Sequence, residues 1–234
     1  AAIAMNRSDG AVAERPRLGL FTSLPIYWNE AAEISDLLVD HQSPPWVGQF
    51  LDKRYRLQPL DLLEPEGAGK PDPLRTYSFL LLAQPRALSA AENVALDRWV
   101  RAGGRLLLFA DPLLTAESIH PIGDPRRPQD AVLLSPILSH WGLELEFDEG
   151  QPNGERPVEL FGASVPVNLA GRLVARDGAD SDCAILGHGL AARCRIGNGM
   201  VLIVADAALL DGGVSDLRAR EEALAVMLGE AFKK

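Results

Sequence analysis

The chain has 234 residues, a formal charge of −9 from 32 acidic against 23 basic side chains, and 47% apolar residues. It is long enough to bury a sizeable core, its apolar share excludes wholesale disorder, and its acidic balance excludes a nucleic-acid groove, which needs a basic field. No apolar run reaches the length of a membrane-spanning helix, and two cysteines are too few for a zinc knuckle.

Residues 1–15 are small, polar and aperiodic and read as a flexible lead-in to a single domain over 16–234. Ala1–Met5 lacks the basic start and long apolar stretch of a complete signal peptide. Arg17–Thr22 is the first predicted strand. Asn29–Val39 carries apolar residues at helical spacing, and Trp46–Leu51 follows Ser43-Pro44-Pro45 as a short helix. Tyr55–Leu60 is predicted to be a strand, and Glu64–Pro73 a loop rich in glycine and proline.

Leu80–Pro112 is the most informative stretch. Phe79–Ala83 predicts a strand. Ser89 followed by Glu92 is a capping box that starts a helix, and Gly103-Gly104 is a left-handed stop. Arg105–Ala110 is apolar without alternation, as parallel strands covered on both faces are. Residues 111–131 hold no periodic pattern, and a loop of this length is often functional. Ser135–Trp141 predicts a helix and Leu143–Phe147 a strand. Short strands are expected at Pro157–Leu160, Val165–Asn168, Arg172–Ala175, Cys183–Gly187, Leu190–Ile196 and Met200–Ala205, with a tight turn at Asn198-Gly199. Ser215–Phe232 closes the chain as an amphipathic helix. The order predicts an α/β fold: a mostly parallel layered sheet flanked by helices, with a β-rich insertion at about 148–196.

Two motifs carry a family resemblance. One is the strand, Leu88-Ser89-x-x-Glu92 helix, Gly103-Gly104, strand, Asp111-Pro112 block; the other is Gly197–Asp206. Together they resemble the non-ATPase auxiliary domain of uncharacterised ABC-type transport systems, a group that includes gliding-motility auxiliary subunits. The resemblance implies a flavodoxin-like fold of the class I glutamine amidotransferase type. In those enzymes the strand equivalent to Leu106–Phe109 runs into a turn carrying the nucleophilic cysteine; here the turn reads Ala110-Asp111-Pro112. A carboxylate is a poor nucleophile toward amides, and proline has no N–H for an oxyanion hole. The scaffold is therefore expected without the reaction.

Open parallel sheets bind ligands beyond the carboxyl ends of their strands. That rim should hold Ser23, Trp28, Gln84, Asp111 and Asp206. Asp111 and Asp206 either bind a cation or a polar ligand, with Trp28 stacking on a sugar or ring, or cap the turns that follow them. In the long loop, His120, Arg126 and Arg127 either form a lid that grips an anion or make local ion pairs. None of the four histidines has paired metal-ligand spacing, and neither a metal nor a cofactor is expected. A two-residue turn at His188-Gly189 would bring Cys183 opposite Cys194, either as a disulfide across a hairpin or as a reduced buried pair. The oxidised form favours an envelope or periplasm-facing location.

The expected function is a non-catalytic ligand-binding or assembly domain of an ABC-type transport system. Its ATPase and permease are the partners the resemblance implies, and a small polar or carbohydrate molecule is the ligand. No phosphate-loop pattern is present, so the chain is not the ATPase. The alternative is a hydrolase of a carbohydrate or other small polar substrate using Asp111 and Asp206 with His120 or the arginines. A homodimeric structural module is a third reading.

Overall fold

The computed structural model describes residues 15–28, 45–67, 69–176, 181–211 and 216–233. The helix expected over Asn29–Val39 and the residues before Arg15 lie outside them.

Seven strands form the central sheet, in the order β2-β1-β3-β4-β11-β10-β9. β1 (Arg17–Thr22), β2 (Arg56–Pro59), β3 (Phe79–Ala83), β4 (Arg105–Phe109) and β11 (Gly199–Val204) run parallel. β10 (Ala191–Ile196) and β9 (Asp182–Leu186) extend that sheet antiparallel. Two further antiparallel pairs complete the β structure: β5 (Leu143–Glu146) with β8 (Arg172–Ala175), and the β6 (Arg156–Leu160)–β7 (Ala163–Val167) hairpin.

The unbroken apolar runs follow from coverage of both faces. Leu81 and Ala83 of β3, Leu107 and Phe109 of β4, and Leu202 and Val204 of β11 face one core. That core is closed by α1 (Trp46–Asp52), by the β6–β7 pair and by α4 (Leu217–Phe232), which contributes Leu224, Met227 and Leu228. The alternate residues, Leu80, Leu82, Leu106, Leu108, Val201 and Ile203, face a second core under α2 (Ala90–Arg101) and α3 (Ser135–His140).

α2 starts where its sequence says. The Ser89 hydroxyl accepts from Glu92 N–H, and the Glu92 carboxylate accepts from Ser89 N–H. At its end Gly103 takes φ +114°, and a Cβ on Gly104 would lie 2.5 Å from the Trp99 ring, so only glycine lets the stop pack against that indole.

The β9–β10 turn has His188 at φ 57° and Gly189 at φ 98°, both left-handed as a tight hairpin requires. Leu190 N–H donates to Gly187 O at 3.1 Å. Cys183 consequently faces Cys194 in register, and their sulfurs are bonded. The β10–β11 turn corrects the expectation by one residue: Ile196 pairs with Gly199, so the turn is Gly197-Asn198, with Gly197 at φ +56°. Gly199 belongs to the strand because it passes close to α2. A Cβ there would lie 2.0 Å from Val100 O.

Candidate functional site

The parallel strands bring Ser23, Gln84, Asp111 and Asp206 to one edge of the sheet, and hydrogen bonds join the first three directly. The Ser23 hydroxyl donates to Gln84 O at 2.5 Å, and Gln84 N–H donates to Phe109 O at 3.0 Å. Gln84, with φ +44°, turns its side chain along the rim. Its amide NH₂ donates to Asp111 O at 3.0 Å and to Gln129 O at 2.9 Å, and its Oε1 accepts from Asp111 N–H at 2.9 Å. Gln129 N–H returns to the Ser23 hydroxyl at 3.0 Å. The long loop is thereby stitched across the strand ends.

Each aspartate receives two backbone donors. Asp111 accepts from Leu113 N–H at 2.8 Å and, on its other oxygen, from Ala207 N–H at 3.1 Å. Asp206 accepts from Ala208 N–H at 2.7 Å and from Asn168 N–H at 2.9 Å. Asp111 is 0% and Asp206 2% exposed. Burial pushes Asp111 up to about 6. Burial, and then the neighbouring Asp111 charge, pushes Asp206 up to about 8. The two carboxyls cap their own turns and tie those turns to neighbouring segments. Chemically they form a proton-holding clasp without surface access.

Trp28 is 62% exposed, with its ring edge-on to Tyr27, and no hydrogen bond among the described residues joins it to the aspartates. In the loop, His120 is buried, and its carbonyl accepts from Arg127 Nη1 at 2.9 Å. Arg126 grips both oxygens of Asp124 through Nε and Nη2, and Arg127 directs its Nε and Nη2 to one oxygen, Oδ1, of Asp130. The Arg126 hydrogen bonds hold Asp124 well below the usual carboxylate range. The two-pronged contacts that arginine favours are thus made inside the loop. Among the described residues, no three His, Cys, Asp or Glu side chains converge as metal ligands, and no helix is long and apolar enough to cross a membrane.

The β-rich insertion forms a cavity of about 670 Å³ beside this edge, with Gln151, Arg156, Val158, Val167, Arg172 and Leu190 in its wall. Neither Asp111 nor Asp206 lines it, although Asn168, one residue beyond Val167, is the donor to Asp206. Gly171 N–H bonds to Ala205 O at 2.7 Å, which fixes the cavity against the end of β11. Arg172 is paired with Glu146 through Nε and Nη2. Arg156 donates to Gln151 Oε1 at 3.2 Å, while its buried Nη1 has no hydrogen-bond partner. These residues were not singled out from the sequence. Their only local signal is an arginine opening each of two short strands, and their convergence depends on how β6 and β8 are placed.

Several solved structures share the fold. An exo-beta-1,4-mannosidase from Opitutaceae bacterium strain TAV5 matches with TM-score 0.54 and 16% identity over 93% of this chain and 36% of its own. The mmIFT52 N-terminal domain matches with TM-score 0.53 and 11% identity over 94% of this chain and 98% of its own. Gan42B, a GH42 beta-galactosidase from G. stearothermophilus, gives TM-score 0.50 and 14% identity over 92% of this chain and 30% of its own. The chain thus spans about a third of the length of the two glycosidases. At these identities the likeness concerns the fold alone. No curated protein matches the sequence. The sequence model of one family matches residues 15–154, more than half of the chain and including the Leu80–Pro112 block; the protein belongs to the family described as an ABC-type uncharacterized transport system.

Proposed function

We propose that the chain is a non-catalytic ligand-binding or assembly domain of an ABC-type transport system, acting with that system's ATPase and permease. The observation that carries this reading is the state of the strand-end carboxyls. Asp111 and Asp206 are buried, and each already accepts two backbone N–H groups. Catalysis at such a rim would require groups that reach a substrate; here the same groups close the edge. The turn after β4 carries Asp111-Pro112, and both cysteines of the chain are bonded to each other in β9 and β10, so no thiol stands at that turn.

The order β2-β1-β3-β4-β11 of the parallel strands is the order of flavodoxin-like sheets, and it supports the finer reading of an amidotransferase-like scaffold, as in gliding-motility auxiliary subunits. The bonded cysteines support an oxidising, envelope-facing location.

The test is purification of the tagged chain from detergent-extracted native membranes, followed by identification of what accompanies it. A P-loop ATPase and a multi-span permease are expected to co-purify in stable proportion. Their absence, together with glycoside or amide hydrolysis by the purified chain that is lost in Asp111→Asn, would overturn the reading in favour of a hydrolase.

A further inference from the structure

The cavity beneath the β-rich insertion has the volume of small-molecule sites, about 670 Å³, and its walls combine aliphatic and charged groups. Val158, Val167 and Leu190 supply apolar surface. The wall carries two acids, Glu146 and Asp148, and two arginines, Arg156 and Arg172, which differ in how they are paired. Arg172 is neutralised by a two-pronged contact with Glu146. Asp148 accepts from Gly150 N–H at 2.8 Å, and its backbone carbonyl accepts from the Gln151 amide at 3.0 Å, so this turn is held by its own bonds. Arg156 has no carboxylate partner of this kind. It reaches only the neutral Gln151 oxygen, and its Nη1 is shielded from solvent without an acceptor.

A buried guanidinium N–H without a partner is costly, and native proteins seldom leave one so. The nearby acid in the interior is Asp206, whose two oxygens accept from Asn168 N–H and Ala208 N–H; among the described residues it makes no hydrogen bond or ion pair with Arg156, whose charge only opposes the upward push of burial and of Asp111 on that carboxyl. An acceptor carrying negative charge would complete Arg156 with charge-assisted hydrogen bonds, the contact for which guanidinium geometry is suited.

We propose that this cavity binds a small organic oxyanion, a carboxylate or phosphate ester, with Arg156 as the anion-recognising residue, Gln151 orienting it, and the aliphatic wall holding the body of the ligand. This rests on the ligand-binding form of the function proposed above and names its ligand class.

The experiment titrates the purified chain, labelled with ¹⁵N-arginine, with five probes: acetate, inorganic phosphate, glucuronate, glucose 6-phosphate and neutral glucose. Saturable shifts of the Arg156 side-chain signals are expected with glucuronate or glucose 6-phosphate, whichever of the two the cavity prefers, and not with glucose. Calorimetry should show binding at least ten-fold weaker in Arg156→Gln. It should be unchanged in Arg195→Gln, which makes the same charge change at an exposed position of β10. Shifts that rise without saturation, equal binding of glucose, or equal affinity in Arg156→Gln would overturn the proposal. If Arg156→Gln does not fold, the wild-type titration decides alone, since a failure of the Arg156 signals to saturate with any oxyanion is sufficient against it. Co-purification with the ATPase and permease but no oxyanion binding would leave the assembly role standing and reject the cavity.

Discussion

The side chain of Gln84 pairs with the peptide of Asp111 in both directions: its NH₂ donates to Asp111 O and its oxygen accepts from Asp111 N–H. A third bond, to Gln129 O, holds the far end of the long loop. One buried amide therefore does for the strand-end edge what a further rung of ladder would do, and it requires a left-handed backbone at φ +44° to reach. Gln84→Ala removes three hydrogen bonds at a site with 0% exposure. Unfolding free energy should fall by about 3 kcal/mol, from about 1 kcal/mol per bond. Denaturant unfolding measures this, and amide exchange should quicken across residues 111–131 before the sheet itself. Loss of stability without faster exchange in the loop would contradict the stitching role.

The carboxyl pair sets a pH dependence with a defined sign. Asp111 is raised to about 6 by burial, and Asp206 to about 8 by burial and then by the charge of Asp111. In the unfolded chain both return to about 3.9. Between these limits the folded state holds more protons, so unfolding free energy falls as pH rises. The stabilisation is fully present below about pH 4 and is lost as pH passes the folded values. Across pH 5.5–8, where ordinary carboxylates have finished titrating, urea midpoints should decline. Asp206→Asn should flatten the upper part of that decline, at a cost of about 1 kcal/mol at low pH for one lost backbone contact. A midpoint that climbs from pH 5.5 to 8 would contradict the burial of these groups.

The Cys183–Cys194 bond closes a hairpin with a sequence separation of 11. Chain entropy for a loop of this size gives about 3 kcal/mol, and the left-handed His188-Gly189 turn, which favours the hairpin already, brings the expectation for Cys183→Ala/Cys194→Ala to about 2 kcal/mol. Cys194 is buried, so alanine rather than serine is the suitable replacement. Denaturant curves with and without reductant measure the effect. Alkylation followed by mass measurement should label no thiol before reduction and two after it.

Much of the site's framework was legible locally. Ser89 and Glu92 named the start of α2 because a capping box is contained within one turn. The opposition of Cys183 and Cys194 followed from counting along two arms of a short turn, since strand register repeats every two residues. The rim positions of Ser23, Gln84, Asp111 and Asp206 followed from parallel strands ending in step. What those side chains do there was not legible. Whether Asp111 faces a ligand or Ala207 N–H depends on a segment 96 residues away, and no periodicity reports such a contact.

The amino-acid order alone determined the alternation of strands and helices, the caps and the hairpin register, because each rests on neighbours within a few residues. The tertiary structure alone decided that the long loop seals the strand ends and that Arg156, Gln151 and Arg172 line one cavity. It also moved the last turn from Asn198-Gly199 to Gly197-Asn198. There the reason is steric: Gly199 must pass beside the Val100 carbonyl of α2, where a side chain would collide, and a requirement set by a distant helix leaves no mark on the turn's own sequence.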